Sequence, residues 1–552
     1  MTTVESVISP TTVHTTSPLP AVKRTGAELV VAALEAHGVD TVFGIPGVHT
    51  LALYDALGRS SIRHVLARHE QGAGFMADGY ARATGRPGVA MVITGPGVTN
   101  IATPIGQAYT DSSPVLVISS NVERAYIDGM RGSLHDLKNQ PGVMAAVTSW
   151  NDRAMDASRV PALIAEAFHR LTGGRPRPVH LEFPLDVLDE EATESVDAAQ
   201  PVRREIDAAS LRDAVDRLHG LERIAIYCGG GAISSGASEA VFKLSELLNA
   251  PVLTSVMGKG TIPEGDPRSF GALWQPGNAI DELLREADCL IVVGAKLGVQ
   301  ETEGFRFPLP PTVVRIDIDP AEMMLNIQPT VSVVGDATSA IIQLLDLLAT
   351  GENRWLGWDS TRIAETRQAA MESAFGSNRR PYIDALRTAI PAGGIITHDM
   401  TMMSYACWGL YPADLPRTFL FPFGYGTLGF AMPAAIGAKI GRPEAPVVAV
   451  CGDGGFQFSM EELGTAVQEG LSLPIVIFND STYSAVKDAQ RRERGDRYLG
   501  VDLVNPDYVA LAGAYGIPGV RAETPAALES AIIAALERRS PTLIDTPIAP
   551  WV

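Results

Sequence analysis

The sequence predicts an α/β protein of three domains, each built on a doubly wound parallel sheet with flanking helices. Its 552 residues are too many for one hydrophobic core and suit three domains of ordinary size. Short apolar runs alternate with helical patterns, as in parallel strands that are joined by helices. The clearest example is near the carboxyl end, where apolar runs at 447–450 and 475–478 flank a helical segment.

Changes in composition along the chain predict the domain boundaries. The start of the chain is rich in Ser, Thr and Pro, which predicts a disordered extension over residues 1–21. An acidic stretch and a polar helical stretch predict linkers at 186–202 and 351–380. The three domains then span residues 22–185, 203–350 and 381–552.

Charge and cysteine usage narrow the class of protein. The net charge of −19 argues against nucleic acid or an anionic membrane surface as a partner. The four cysteines have neither metal-binding nor disulfide spacing, which favours a reducing, cytoplasmic location. No apolar run approaches the roughly 18 residues of a membrane-spanning helix. We therefore expect a cytoplasmic enzyme with a small-molecule substrate.

Two aspartates follow the strands of the carboxyl-terminal unit. Asp453 lies in the glycine turn 451–455 after the first apolar run, and Asp480 follows the second run. Ser459 and Glu462 have the spacing of a capping box that begins the intervening helix. A right-handed crossover places the carboxyl ends of both strands at one edge of the sheet. Two carboxylates beside a glycine turn suit a divalent cation that carries a diphosphate, whereas Gly-Asp-Gly alone would indicate an ordinary turn.

This arrangement resembles the thiamin diphosphate (ThDP) enzymes. The two aspartates are 27 positions apart (480 − 453 = 27), and the Asn479–Tyr483 segment is similar to that of the catabolic acetolactate synthases. The resemblance implies that Asp453, Asp480 and the backbone carbonyl of Thr482 hold Mg²⁺, with diphosphate oxygens as further ligands. It also implies cofactor contacts from Gly452, Asp453, Gly454, Gly455, Asn479, Asp480, Thr482 and Tyr483.

A second match lies at residues 68–81, after a short predicted strand. This segment resembles the part of ThDP enzymes that carries the activating glutamate, which corresponds to Glu70. A carboxyl group on the pyrimidine ring favours the imino tautomer that removes the proton from the thiazolium ring. The alternative is that Glu70 only complements a helix dipole.

A third match, at residues 424–438, resembles the segment that holds the pyrimidine ring through backbone groups. The resemblance implies that Leu428 wedges the cofactor into its bent form and that Gly426 contacts its amino group. Thr401 falls where relatives bind the diphosphate, although methionines replace the polar neighbours that are expected there. The three domains accordingly correspond to the pyrimidine-binding, middle and diphosphate-binding domains of the family.

The middle domain carries three glycines at 229–231, but their spacing is not that of a dinucleotide-binding turn. Some relatives bind FAD in this domain. The matching segment 294–299 lacks the arginine-and-aspartate run of the flavin-bearing acetolactate synthases, so we expect no flavin.

Several side chains are candidates for contact with a substrate. His49 stands where relatives place a lysine or serine, so it could bind a carboxylate or carry a proton, or could simply face water. His135 and Asp136 together with His49 resemble the 2-ketoarginine decarboxylases. Asp136 would receive a cationic substrate tail, although a surface ion pair explains it equally well. Gln107, Thr94 and Val486 are further candidates for the pocket lining.

The resemblance implies an enzyme that decarboxylates a 2-oxo acid and transfers the resulting enamine to a proton or to a second carbonyl. The Asn479–Tyr483 segment favours an acetolactate synthase-like carboligase, whereas His49 and His135 favour a simple decarboxylase. A non-catalytic relative is the third possibility. The resemblance also implies a homodimer or homotetramer with active sites between subunits.

Overall fold

A computed structural model describes residues 19–198, 205–349 and 355–551 and contains three six-stranded parallel sheets with flanking helices. All neighbouring strands of these three sheets are parallel. The predicted fold class is therefore confirmed. A fourth, two-stranded sheet is antiparallel.

The first domain has the strand order β3-β2-β4-β5-β7-β6 in its large sheet. Every residue of the central strands β4, β5 and β7 is buried, as expected for a parallel sheet with helices on both faces. The elements are β1 (Leu19–Thr25), α1 (Gly26–Ala36), β2 (Thr41–Gly44), α2 (Leu51–Gly58), β3 (Arg63–Leu66), α3 (Glu70–Thr84), β4 (Gly88–Val92), α4 (Pro96–Thr110), β5 (Val115–Asn121), α5 (Gln140–Ala145), β6 (Trp150–Arg153), α6 (Val160–Thr172), β7 (Val179–Pro184), α7 (Leu185–Asp189) and β8 (Glu191–Val196).

The middle domain has the strand order β11-β10-β9-β12-β13-β14. Its elements are α8 (Ala208–Leu218), β9 (Ile224–Cys228), α9 (Gly230–Ser235), α10 (Ser238–Leu248), β10 (Val252–Thr254), β11 (Ser269–Gly271), α11 (Ala279–Arg285), β12 (Cys289–Val293), β13 (Thr312–Asp317), β14 (Val331–Val334) and α12 (Ala337–Ala349). The glycines at 229–231 form the tight turn from β9 into α9.

The third domain has the strand order β16-β15-β17-β18-β20-β19. A helix α13 (Ser360–Ser373) precedes it. The elements are α14 (Arg380–Ala389), β15 (Ile395–His398), α15 (Met402–Leu410), β16 (Phe419–Leu420), α16 (Ala431–Gly441), β17 (Val447–Gly452), α17 (Asp453–Phe456), α18 (Leu463–Gln468), β18 (Leu473–Asn479), α19 (Ser484–Arg494), α20 (Tyr508–Ala514), β19 (Gly519–Arg521), α21 (Pro525–Leu536) and β20 (Pro541–Pro547).

The predicted linkers and the end of the predicted extension make packed contacts that the sequence did not indicate. Residues 1–18 of the predicted extension lie outside the described residues, but β1 begins at Leu19 and pairs with β8 inside the predicted linker 186–202. In the second predicted linker, α13 buries Ile363 and Ala370 in a core that the middle and third domains share. Both segments therefore pack against the domains that they connect.

The first and third domains pack closely through α3 and α16. A Cβ atom on Gly79 would lie 2.1 Å from the Ala434 carbonyl oxygen, and one on Gly437 would lie 1.9 Å from the Met76 carbonyl oxygen. Only glycine permits this approach of two helix backbones. The interface is continuous with the apolar core that both domains share.

No helix in the described parts of the chain has the length and apolar character to cross a membrane. The four cysteines are buried and none is paired.

Candidate active site

Asp453 and Asp480 lie together at the carboxyl edge of the third sheet, the edge at which the carboxyl ends of its parallel strands meet. Strands β17 and β18 are neighbours, with Gly452 opposite Phe478, so each aspartate begins the segment that leaves the sheet. Burial and the negative charge of Asp480 raise the pKa of Asp453 to about 6, although a hydrogen bond from Asn505 opposes the shift. Burial also raises the pKa of Asp480. Two desolvated carboxylates that repel each other are stabilised by a divalent cation between them.

Neighbouring polar groups hold these two carboxylates in place. Asn505 Nδ2 donates to Asp453 Oδ2 over 2.6 Å and to Asn479 Oδ1 over 3.0 Å. The Ser484 hydroxyl donates to Asp480. Asn505 therefore connects the ends of β17 and β18.

The hydroxyl of Thr482 donates to the Val501 carbonyl over 2.8 Å, so its side chain is already engaged within the protein. A role for Thr482 in binding a cation would fall to its backbone carbonyl, as the resemblance implies. The described residues contain no cluster of three or more His, Cys, Asp or Glu side chains that could hold a metal. The two carboxylates of Asp453 and Asp480 fit Mg²⁺, which takes few carboxylates and completes its shell with backbone, water and phosphate oxygens.

The glycines of the 451–455 turn lie so close to other side chains that a Cβ atom would collide with them. A Cβ on Gly452 would lie 2.9 Å from Thr401 Oγ1, and a Cβ on Gly454 would lie 2.4 Å from the Tyr483 ring. Thr401 directly precedes α15 at the N-cap position, and its side chain makes no capping hydrogen bond there. The predicted cofactor residues Thr401, Gly452 and Tyr483 are thus adjacent in space.

Asp399, at the end of β15, ties this turn to the 424–430 loop. Its carboxylate accepts a hydrogen bond from Gly429 N at 3.0 Å, and a Cβ on Gly455 would lie 2.9 Å from it. Burial raises the pKa of Asp399 to about 7. No local sequence pattern indicates a role for Asp399, because Gly429 and Gly455 are far away in the chain.

The 424–430 loop carries Gly426 and Leu428. Gly426 has φ +72°, a left-handed conformation that favours glycine, and Leu428 is half-buried. Gln107 holds this loop: its Oε1 accepts from Thr427 N and Oγ1 at 3.1 and 2.9 Å, while its Nε2 donates to Asp111. The buried amide of Gln107 thus positions this loop, and its assignment to the substrate pocket stays a prediction.

Glu70 is the first residue of α3 at the carboxyl edge of the first sheet. The His69 ring caps the helix by accepting from Gln71 N at 3.0 Å. Asn100 Nδ2 donates to Glu70 Oε2 over 2.9 Å, which orients the carboxylate. Burial and the negative charge of Glu70 raise the pKa of Tyr54. Glu70 is half-buried and so remains accessible at this edge.

His49 and His135 meet at the same edge. They follow β2 and β5, and their ring centroids are 5.2 Å apart. His135 has φ +65°, and its carbonyl approaches Gly95 so closely that a Cβ there would lie 2.6 Å away. Burial and the charge of His135 lower the pKa of His49. The sequence alone did not predict that the two rings pack together.

Three polar atoms in this cluster are buried without a hydrogen-bond partner among the described residues. They are His49 Nδ1, His135 Nδ1 and Asp136 Oδ2. Buried polar atoms are normally satisfied, because leaving one unpaired costs about 1–3 kcal/mol. Two donors or acceptors and one carboxylate oxygen are therefore available to a polar ligand.

The remaining candidates have different surroundings. The Thr94 hydroxyl donates over 2.7 Å to Gln140 Oε1, and Gln140 also accepts from Gly95 N at 3.0 Å. Gln140 thus shapes the turn that faces His135, a role that no local motif indicated. Val486 is 53% exposed on α19. Its neighbour Lys487 pairs with Asp502 at 2.7 Å.

Three family models match the chain. The thiamine pyrophosphate enzyme N-terminal TPP binding domain matches residues 24–143, the central domain matches 211–344, and the C-terminal TPP binding domain matches 399–546. Each matched range overlaps one of the three parallel sheets, and the central match includes all six strands of the second sheet.

Similar proteins match over nearly the whole chain. The probable 2-ketoarginine decarboxylase AruI of Pseudomonas aeruginosa is 40% identical over 537 residues, covering 94% of this chain and 93% of that protein. A probable acetolactate synthase large subunit of Methanocaldococcus jannaschii is 34% identical, with 95% and 92% covered. The acetolactate synthase large subunit IlvB1 of Mycobacterium tuberculosis is 34% identical, with 90% and 84% covered.

Proposed function

Because the chain belongs to the thiamine pyrophosphate enzymes, we propose that it is a ThDP- and Mg²⁺-dependent enzyme that decarboxylates a 2-oxo acid with a cationic side chain. The net reaction converts the 2-oxo acid and a proton into an aldehyde and CO₂. The observation that carries this proposal is the cluster of His49, His135 and Asp136, whose buried polar atoms have no partner among the described residues.

The cofactor half of the proposed site is the carboxyl edge of the third sheet. Asp453, Asp480 and the carbonyl of Thr482 would hold Mg²⁺, and Thr401 and the glycine turn would face the diphosphate. Gly426 and Leu428 would contact the pyrimidine and the bend of the cofactor. Bound ThDP supplies the electron sink for loss of CO₂.

Glu70 is proposed to hold the proton on the pyrimidine ring. Its position at a helix start, oriented by Asn100, suits a carboxyl group that must keep one direction. The half-buried site is near Tyr54, whose raised pKa keeps that phenol neutral beside the glutamate.

The substrate half would use the histidine pair and Asp136. A neutral imidazole can donate a hydrogen bond to the substrate carboxylate and can exchange a proton near neutral pH. Asp136 Oδ2 would accept hydrogen bonds from a guanidinium, whose planar N–H groups match a carboxylate. The Pseudomonas aeruginosa relative is named a probable 2-ketoarginine decarboxylase, and 2-ketoarginine is a 2-oxo acid with a cationic side chain, as proposed here for the substrate.

A carboligase is the second candidate. The acetolactate synthase relatives and the Asn479–Tyr483 segment favour transfer to a second carbonyl. The two functions differ in whether a proton or another 2-oxo acid reaches the reacting carbon after CO₂ leaves.

We further propose that two copies of the chain complete each active site, as a homodimer or homotetramer. Apolar side chains near both sheet edges are strongly exposed in the single chain, which is typical of an interface. They are Val48 (60%), Leu134 (62%), Tyr425 (54%), Phe458 (49%) and Val486 (53%). The enzyme would work in the cytoplasm, without a nucleic acid, membrane or flavin partner.

Product analysis tests the proposed reaction. The purified protein is incubated with ThDP and Mg²⁺ and either 2-oxo-5-guanidinopentanoate or pyruvate, and products are resolved by mass spectrometry. We expect CO₂ and the guanidino aldehyde from the first acid. Acetolactate from pyruvate, without aldehyde from the guanidino acid, would replace the decarboxylase by the carboligase.

A further inference from the structure

Glu462, in the third domain, makes a buried contact with the first domain directly before Glu70. Its side chain has no exposed surface. Oε1 accepts from Arg68 N at 3.0 Å and from His69 N at 2.9 Å, and Oε2 accepts from the Thr465 hydroxyl at 2.6 Å. The carboxylate therefore takes up two backbone donors of the turn that joins β3 to α3.

The contact replaces the capping box that the sequence predicted for this segment. The Ser459 side chain makes no capping hydrogen bond, and Glu462 extends to the other domain instead. A Cβ on Gly72 would lie 2.0 Å from Glu462 Oε1, so the first turn of α3 has a glycine where the carboxylate enters. Burial raises the pKa of Glu462 to about 7, while the backbone donors and Thr465 oppose this shift.

The position of this contact fixes the orientation of Glu70. Arg68 and His69 are the two residues before Glu70, and the His69 ring also caps Gln71 N. Because Glu462 binds both amides, the start of α3 has little freedom to move. The Glu70 carboxylate is therefore held in its direction toward Asn100. The pair of Arg63 and Glu469, which also joins the two domains, includes no residue of this turn.

We propose that Glu462 is a positioning residue for Glu70, acting through the amides of Arg68 and His69. This inference rests on the proposed function of Glu70. Glu462 belongs to the segment that follows Asp453. The same contact therefore links the proposed cation site of the third domain to Glu70 of the first domain. Misplacing a reacting group by about 1 Å can cost about 100-fold in rate.

The kinetic test uses three substitutions of Glu462. Glu462→Gln keeps an oxygen for the two amides and retains kcat, because Thr465 can turn its hydroxyl to accept. Glu462→Asp withdraws the carboxylate by one methylene, and Glu462→Ala removes it. Both should lower kcat by about 10- to 100-fold with little change in KM. Loss in the Gln variant equal to that in the Ala variant, or wild-type kcat in the Asp variant, would overturn the proposal.

A double-variant comparison separates positioning from general damage. Glu462→Ala in a Glu70→Gln background should cause no further loss of the residual activity, because the group that it positions is already disabled. An equal loss in both backgrounds would assign Glu462 a merely structural role. Glu469→Ala is the matched control, since it removes an interdomain ion pair away from the turn and should keep wild-type kcat.

Hydrogen exchange of the protein without cofactor gives an independent measurement. Amide exchange in residues 67–72 should accelerate in Glu462→Ala and Glu462→Asp but remain as in the wild type in Glu462→Gln and Glu469→Ala. Unchanged exchange in the Ala variant would overturn the proposed contact. Wild-type activity in Glu70→Gln would instead refute the proposed function, and the exchange result would still decide whether Glu462 holds the turn.

Discussion

The carboxyl edges of the first and third sheets differ in how their polar groups are satisfied. At the third edge, Asp453 and Asp480 receive hydrogen bonds from Asn505 and Ser484. At the first edge, nitrogen atoms of His49 and His135 and one oxygen of Asp136 are buried without partners among the described residues. The arrangement at the third edge suits a group that stays bound, such as a cofactor. The arrangement at the first edge suits a ligand that binds and leaves in each turnover.

The difference indicates that two similar sheets have different roles, one in holding the cofactor and one in binding the substrate. A preorganised carboxylate pair binds a cation with little rearrangement, so the third edge can hold a cofactor through many turnovers. Unsatisfied groups raise the free energy of the empty site, and a matching ligand recovers that cost. Glu70 belongs to the first edge but is already oriented by Asn100, so it resembles the third edge in this respect.

Removing the Glu70 carboxyl should have the largest effect. Glu70→Gln is expected to lower kcat by ~10²–10⁴-fold, because a positioned proton-transfer group contributes about that much. The thermal midpoint should change little, since Glu70 is half-buried. Steady-state kinetics and a thermal scan of the same preparations measure both quantities. Undiminished kcat would contradict the assignment.

Loss of the proposed cation ligand Asp480 should have the next largest effect, and it should act on cofactor binding. Asp480→Ala is expected to weaken ThDP binding by at least about 10-fold, with partial recovery at high Mg²⁺. Calorimetric titration at two Mg²⁺ concentrations measures this. Asp502→Asn, at an exposed carboxylate that pairs with Lys487, is the control and should bind normally. Equal affinity in both variants would remove Asp480 from the site.

A change at Asp136 should affect one substrate and spare another. Asp136→Asn is expected to lower kcat/KM for 2-oxo-5-guanidinopentanoate by about 10- to 100-fold, because hydrogen bonds between charged groups contribute about 1.5–3 kcal/mol. Turnover of a 2-oxo acid without a cationic tail should not fall. Asp128→Asn, in the same connection and 65% exposed, is the control. An equal loss for both substrates would argue against a contact with the tail.

The smallest expected effect is a pKa change at His49. Burial and the charge of His135 keep its pKa below the ordinary value of 6.5, so His49 stays neutral to a lower pH than a free histidine. His135→Gln removes one cause, and the pKa of His49 should rise while burial still holds it below 6.5. An NMR titration of the imidazole signals measures this shift. A fall in the pKa would be inconsistent with the pairing of the two rings.

The sequence predicted the parts of the site that depend on local order. Strand ends and a glycine turn are local features, so Asp453 and Asp480 could be placed at one sheet edge from their spacing. The start of α3 at Glu70 followed in the same way, and the structure places that residue there.

Contacts between distant segments could not be predicted in this way. Glu462 and Ser459 have the spacing of a capping box, yet Glu462 binds the amides of the other domain. Gln107 accepts a hydrogen bond from Thr427 of another domain, a contact that its place in the sequence does not indicate. Side chains of the same type serve either purpose, and the packing of the first domain against the third decides which partner is present.

Complementation between inactive variants tests most directly whether the two edges form one site across subunits. Glu70→Gln and Asp453→Ala chains are coexpressed with different tags, and the mixed dimer is purified and assayed for CO₂ release from the 2-oxo acid. If Glu70 of one subunit serves the cation edge of the other, each mixed dimer has one intact site and regains activity that neither parent shows. If both groups act within one chain, every site in the mixed dimer is defective, and absence of activity would contradict the account.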